Sequence, residues 1–176
     1  MAITVTATPT TLTWGNFTVV PNQMTDPADG TTIDAFTAFN FAITPDPPRT
    51  KMVNGQFAFD EPMTITITPV ARVWSGVLKT NELLSHEQWH YDVGIVTARA
   101  LAKQIPHLRG PNFPALVQSL RDAIKLHFTT RAGILQKRYD LDTRHGQQDY
   151  YQKIWKDRMT ACLANPKADQ IGGFFL

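Results

Sequence analysis

His86-Glu87-Gln88-Trp89-His90 is the stretch of this chain whose residue types and spacing point most directly to chemistry. Positions four apart lie on one face of an α-helix, so two imidazoles at that spacing can hold a single metal ion. Glu87, one residue beyond the first ligand, can reach a water on that metal without ligating the ion itself. Zn²⁺ in such a site lowers the pKa of the water toward ~7 and polarises a scissile carbonyl, while the carboxylate takes and returns the proton. The chain has five His and three Glu in 176 residues, and chance would produce this pattern only about 0.002 times. His86 and His90 are therefore read as metal ligands and Glu87 as the general base. The competing reading is a histidine pair satisfied by hydrogen bonds on a core helix.

Catalytic zinc usually keeps three protein ligands, which sends the search along the chain. No glutamate follows Glu87, and Val96 occupies the position six residues after His90 where a compact third histidine would stand. His107, His127, His145 and the aspartates remain. His107 falls in a Pro/Gly-rich loop and His127 lies mid-helix beside Phe128. His145 sits in the polar run Tyr139-Asp140-Leu141-Asp142-Thr143-Arg144-His145-Gly146, where Gly146 lets the chain turn closely. His145 ranks first as the third ligand, Asp142 second and His127 third. Tyr139, Tyr150 and Tyr151 flank His145 and are candidates for stabilising an oxyanion, against the plainer reading that they pack on the helices.

The elements that must position these groups change grammar near residue 80. Ile33, Ala35, Thr37, Phe39, Phe41 and Ile43 alternate, as do Ile65 and Ile67 between threonines, the period of half-buried strands. Asn54-Gly55 between two apolar runs is a hairpin signal. A mainly antiparallel sheet is expected over 1–79, with 61–74 as the edge strand beside the metal helix. From Asn81 the apolar spacing becomes helical on two faces, with Thr80 or Asn81 as cap and Pro106 as stop. A second helix is expected from Pro114 to about Arg138, a polar connector over 139–146, and a third helix from about Tyr151 to Asn165. The fold class is α+β in one domain, 1–176, mainly β to residue 79 and mainly α after it.

Composition narrows the function classes. Hydrophobic residues make up 43% and charged residues 18%, an ordinary globular balance. The net charge of +2 gives no nucleic-acid footprint, and no 18-residue apolar run predicts a membrane span. The single Cys162 excludes an intrachain disulfide framework and a cysteine-rich zinc ribbon. Met1 to Pro9 has neither a basic nor an apolar leader segment, so no signal peptide is expected there.

Three stretches carry a resemblance to a family. Leu12-Thr13-Trp14-Gly15-Asn16-Phe17, then Leu83 to Asp92 with Ala98-Arg99, then Tyr139-Asp140-x-Asp142-Thr143-x-His145-Gly146 with Gln148 and Trp155, occur in that order. Together they resemble a bacterial group of predicted secreted zinc-dependent proteases, catalogued as a domain of unknown function. The resemblance implies a zincin-like fold, a secreted or periplasmic location, and a place for His145 near the metal. Trp89 and Tyr91 depart from its pattern. The function expected is a zinc metallopeptidase acting on a peptide or protein substrate. The alternatives are a zinc hydrolase of another amide, such as a cell-wall crosslink, and a zinc-stabilised interaction module without turnover.

Overall fold

The computed structural model describes residues 3–176. The strands are β1 Ile3–Ala7, β2 Phe17–Val20, β3 Met24–Thr25, β4 Thr32–Ile33, β5 Ala35–Thr44, β6 Thr50–Val53, β7 Gln56–Phe59 and β8 Met63–Trp74. Helix α1 covers Asn81–Gln104, α2 Phe113–Ile124, α3 Ala132–Thr143 and α4 Asp149–Ala164, and a small hairpin of β9 Gln170–Ile171 and β10 Phe174–Phe175 follows. The order is mixed α+β, with a sheet first and helices after it.

The sheet is mixed rather than mainly antiparallel. Its centre is β8, which pairs parallel with β1 and β2 and antiparallel with β5. The expected edge strand is therefore the middle one. Trp74 N–H donates to Asp34 carbonyl at 2.8 Å, which sets the phase of the antiparallel ladder: even-numbered residues of β8 bond to β5, and odd ones face the other side. On that other side Ile67 carbonyl accepts from Thr8 N–H and Ser75 N–H donates to Val20. Pro69 has no N–H to offer, and it falls between Ile67, the last partner of β1, and Ala71, the first partner of β2. A proline can sit in this central strand because its missing donor faces the gap between two end-to-end neighbours.

The same phase turns the backbone groups of Ala35, Thr37 and Phe39 toward the far edge of β5. Among the described residues β5 pairs with β8 alone, so β5 forms one edge of the sheet, opposite the end-to-end β1 and β2. The Asn54-Gly55 hairpin joins β6 and β7 as expected, with both turn residues at positive φ, 48° and 78°.

Helix α1 is buried on two sides, as its two apolar stripes require. Tyr91, Ile95, Ala98 and Leu101 pack against the sheet with Ile65, Ile67 and Val73. Trp89, Val93, Val96 and Ala100 pack against α3 and α4 with Leu135, Tyr139 and Trp155. Thr80 Oγ1 accepts from Leu83 N–H at 3.1 Å and caps the start. Asn112 caps α2 in the same way through Ala115 N–H. Beyond Ile124 the helix does not stop: a π-helical turn over Lys125–Arg131 leads into α3, which runs on to Thr143. Residues 139–143, expected in a connector, are helical.

Two helical glycines make opposite demands. A Cβ on Gly94 would lie 2.5 Å from the Phe39 ring, whereas one on Gly133 would meet nothing within 4 Å. Gly94 is the point where α1 touches β5, so Gly94→Ala should cost about 1–3 kcal/mol through overpacking. Gly133→Ala should instead add roughly 0.5–1 kcal/mol through helix propensity. Urea denaturation of the two variants measures both signs.

Candidate metal centre

Helix α1 delivers His86 and His90 to one side because they are one turn apart, and α3 delivers Asp140 to meet them. His86 Nε2 and His90 Nε2 are 3.2 Å apart. Asp140 Oδ1 lies 3.0 Å from His90 Nε2 and 3.3 Å from His86 Nε2. All three side chains are buried. Tetrahedral ligands at about 2.0–2.2 Å from a metal stand roughly 3.3–3.5 Å from one another, so this triangle is close to the face of such a coordination shell. These buried His and Asp groups can hold a metal ion.

The charges are arranged consistently with that role. Burial works to raise the Asp140 pKa, but the His90 and His86 side chains outweigh it and hold the carboxyl well below the usual carboxylate range. Burial likewise disfavours charge on His90, and the Asp140 carboxylate overrides it, so the His90 pKa is raised. Tyr139 stacks between the site and the second core, with its ring 4.8 Å from His86 and 3.9 Å from Trp89. That sandwich fixes the His86 ring from behind. On its other flank, a Cβ at Gly146 would come within 3.3 Å of His86 Nδ1, so the backbone there must approach without a side chain.

A cavity opens over the triangle. Its walls include Thr37 on β5, Glu87 on α1, Gly133 and Gln136 on α3, Asp26 from the β3–β4 hairpin, and His145. Buried polar atoms without a protein partner gather here. Among the described residues five side-chain atoms are orphaned in this way. Four of them, Thr37 Oγ1, Glu87 Oε2, His86 Nδ1 and His90 Nδ1, belong to residues lining this cavity. Native interiors pair such groups with protein, water or an ion, so these four atoms must find their partners within the cavity. Glu87 is only 2% exposed, so its unpaired carboxylate oxygen is buried at the cavity wall.

The sequence-expected residues distribute unevenly around this centre. His86, Glu87 and His90 meet as expected. His145 stands beside the triangle and not at one of its corners: its Nδ1 is 3.9 Å from Asp140 and 3.7 Å from Asp26, and its Nε2 is 3.1 Å from Asp29. The residue that closes the triangle is Asp140, from the same octet. Asp26, Asp140 and His145 form a second, looser group of possible metal donors that shares Asp140. Asp142 faces away, accepting from Arg138 and from Trp155 Nε1. Tyr150 and Tyr151 are exposed and pack on each other. Tyr139 hydroxyl donates to Gln152 at 3.2 Å. Asp140 was missed because the helix was ended near Arg138. The absence of any strong breaker between Pro114 and Gly146 is the signal that would have extended it, since Gly133 alone is tolerated in a helix.

No family model, curated protein or solved structure matches this chain.

His127, the remaining candidate, lies in the π-helical turn, where its Nε2 pairs with Gln104 Oε1 at 2.7 Å. Burial, reinforced by the Arg131 charge, lowers its pKa to about 4. The folded state thus binds this proton less readily than the unfolded chain, whose histidine titrates near 6.5. The stability that neutral His127 contributes is complete above about pH 6.5 and is lost as the pH falls toward 4. The stability difference between the parent and His127→Gln should shrink over that window in denaturation curves taken at stepped pH.

The triangle itself predicts a metal-binding ranking. Asp140→Ala should weaken binding of added Zn²⁺ as strongly as His86→Ala or His90→Ala, because each removes one corner of the triangle. His145→Ala should leave zinc binding at the triangle within a few-fold of the parent. Calorimetric titration of the metal-free protein with Zn²⁺ checks both statements.

Proposed function

We propose that this chain is a zinc-dependent metallopeptidase of zincin-like architecture, hydrolysing peptide bonds in a peptide or protein substrate with Glu87 as general base. One conjunction carries the reading: a buried triangle of two imidazole nitrogens and one carboxylate oxygen, 3.0–3.3 Å on a side, with an unpartnered buried carboxylate oxygen beside it. Two neutral nitrogens with one carboxylate suit zinc and leave a coordination position open. When bound there, zinc supplies Lewis acidity, which polarises a carbonyl and acidifies water.

The chain's own residues do the rest. His86, His90 and Asp140 would hold the ion, and Asp140 also keeps the two rings in register. Glu87 accepts the proton of the attacking water and returns it to the leaving nitrogen. A substrate in extended conformation can add to the free edge of β5, where the backbone groups of Ala35 and Thr37 face outward beside the site. Gly133, without a side chain on the opposite wall, leaves room for a substrate residue.

Burial of Glu87 favours this reading over a zinc-stabilised interaction module. An unpartnered carboxylate costs stability when buried, and a purely structural site has no use for it. Glu87→Gln should retain one zinc per chain and an unchanged melting profile while peptide turnover falls by about 10²-fold or more. Metal analysis paired with a peptide-library digest of both proteins tests it. Hydrolysis by the Gln variant at the parental rate overturns the assignment of the base. A parent that binds zinc but cleaves no peptide directs the search to other amides or to the interaction module.

A further inference from the structure

We propose that the cavity takes a second divalent cation, of the zinc or manganese class, held by Asp26, His145 and Asp140, with the Asp140 carboxylate shared between it and the ion of the triangle. The inference rests on the triangle of His86, His90 and Asp140, and it is independent of whether the centre cleaves peptides. Three observations carry it.

The first is the spacing of the donors. One ligand atom each from Asp26, Asp140 and His145 lie within 4.8 Å of one another. His145 Nδ1 is 3.7 Å from Asp26 Oδ2 and 3.9 Å from Asp140 Oδ1. These gaps are too long for hydrogen bonds. An ion centred among atoms so spaced stands about 2.1–2.5 Å from each, a range that runs from zinc to calcium bond lengths. The imidazole selects against calcium, and two carboxylates admit manganese beside zinc. Asp140 Oδ1 is the oxygen that faces His90 and His86 as well as His145. Sharing one carboxylate keeps two ions close, and paired ions in hydrolytic centres stand about 3.5–4 Å apart.

The second is how the donors are supported. His145 Nε2 lies 3.1 Å from Asp29 Oδ2, on the tip of the β3–β4 hairpin. A carboxylate on the far nitrogen is the common support of a metal-bound histidine: it orients the ring and leaves the near nitrogen to the ion. The His145 backbone N–H donates to Asp140 carbonyl at 3.0 Å, which ties the ring to the residue that shares the ion with it. Asp26 is buried, and its Oδ1 accepts from Ala28 N–H at 2.7 Å. That bond fixes the carboxylate with Oδ2 toward His145.

The third is charge and an unmet polar atom. Four carboxylates, Asp26, Asp34, Glu87 and Asp140, line the cavity against one lysine, Lys137. Asp26, Glu87 and Asp140 are buried. One divalent ion in the triangle leaves this wall net negative, and buried charges need a compensating partner. Thr37, 2% exposed, lines the same cavity, and its hydroxyl has no partner in the protein. The two histidines and the carboxylate of the triangle do not engage it, so it offers a further oxygen to an ion or to a water on that ion.

The test titrates the metal-free full chain with Zn²⁺ by calorimetry, and loads it with Mn²⁺ for electron paramagnetic resonance, which reads whether two ions are close enough to couple. Two variants accompany the parent. Asp26→Asn keeps an oxygen to accept from Ala28 N–H, and His145→Asn keeps a residue that tolerates the left-handed backbone at φ 52°. The parent should show a tighter and a weaker zinc event, and a coupled manganese spectrum. Each variant should keep the tighter event within a few-fold. Its weaker event should fall by about 10-fold or more, since losing a ligand costs at least what losing its support costs. The coupled spectrum should disappear with it. Asp140→Ala should weaken both events. A single event in the parent overturns the proposal. So does a second event that survives both Asn variants or shows no coupling, because that ion sits elsewhere. Loss of the tighter event in His145→Asn also overturns it, by making His145 a ligand of the first ion. If one Asn variant fails to fold by its melting profile, the other decides. Two coupled ions in a parent that cleaves no peptide leave this inference standing while the peptidase reading fails, and one ion with cleavage does the reverse.

Discussion

Three electron-rich atoms, His86 Nε2, His90 Nε2 and Asp140 Oδ1, are packed within 3.0–3.3 Å of one another in the interior. Much of the surrounding structure follows from keeping them there. Such a cluster is unfavourable without a positive charge at its centre or a proton shared among its members, since buried polar atoms lose their water. The fold resists its opening from three directions. Helix α1 cannot rotate, because one face is locked on the sheet and the other on α3 and α4. The Tyr139 ring is stacked flat between Trp89 and His86, so the histidine cannot swing outward. The π-helical turn resets the face of the long helix just before α3, so that Gly133, Gln136 and Asp140 all turn to the cavity. π turns recur at functional sites for this reason.

Much of this was legible in the chain. The helical spacing of His86 and His90, the two-sided burial of α1, the Asn54-Gly55 hairpin and the order of sheet before helices all follow from local patterns. What was not legible depends on non-local pairing. Strand β8 reads as an edge because it feeds directly into the helix that carries the two histidines. Its central position comes from β1 and β2 lying end to end, with the proline facing the gap between them. No local pattern encodes that. That Asp140 closes the triangle with His86 and His90 is hidden for a similar reason. Ending the helix near Arg138 hides the fact that Gly133, Gln136 and Asp140 share a face, and it leaves His145 as the natural candidate in a supposed loop.

The β5 edge and the β3–β4 hairpin show how the sheet contributes to chemistry without supplying a triangle residue. β5 is tied to β8 over ten residues, so its outer backbone groups are presented by a rigid element rather than a loop. The hairpin preceding it is short, and its turn is braced by its own aspartates. Asp26 and Asp29 can therefore meet His145, more than a hundred residues away in the chain, without an intervening flexible segment. Rigid presentation matters because positioning errors of about an ångström are enough to cost catalysis severely.

The five residues of the motif divide their work by direction around α1. His86 and His90 face Asp140, and Glu87 faces the cavity. Gln88 points the other way: its Oε1 accepts from Leu12 N–H at 2.6 Å and its Nε2 donates to Asp92 at 2.7 Å. Burial raises the Asp92 pKa to about 6, against the pull of Gln88 and the Arg99 charge. This pair joins the metal helix to the segment between β1 and β2, whose Leu12 and Phe17 enter the sheet core. Trp89 enters the opposite core, and its Nε1 donates to Trp155 carbonyl at 3.1 Å. The large Trp89 side chain thus fills a space between α1, α3 and α4. A pair of structural histidines would need only their own two positions satisfied. Here all five consecutive side chains have distinct environments, and the three that face the site are the two nitrogens and the carboxylate that metal-assisted hydrolysis requires.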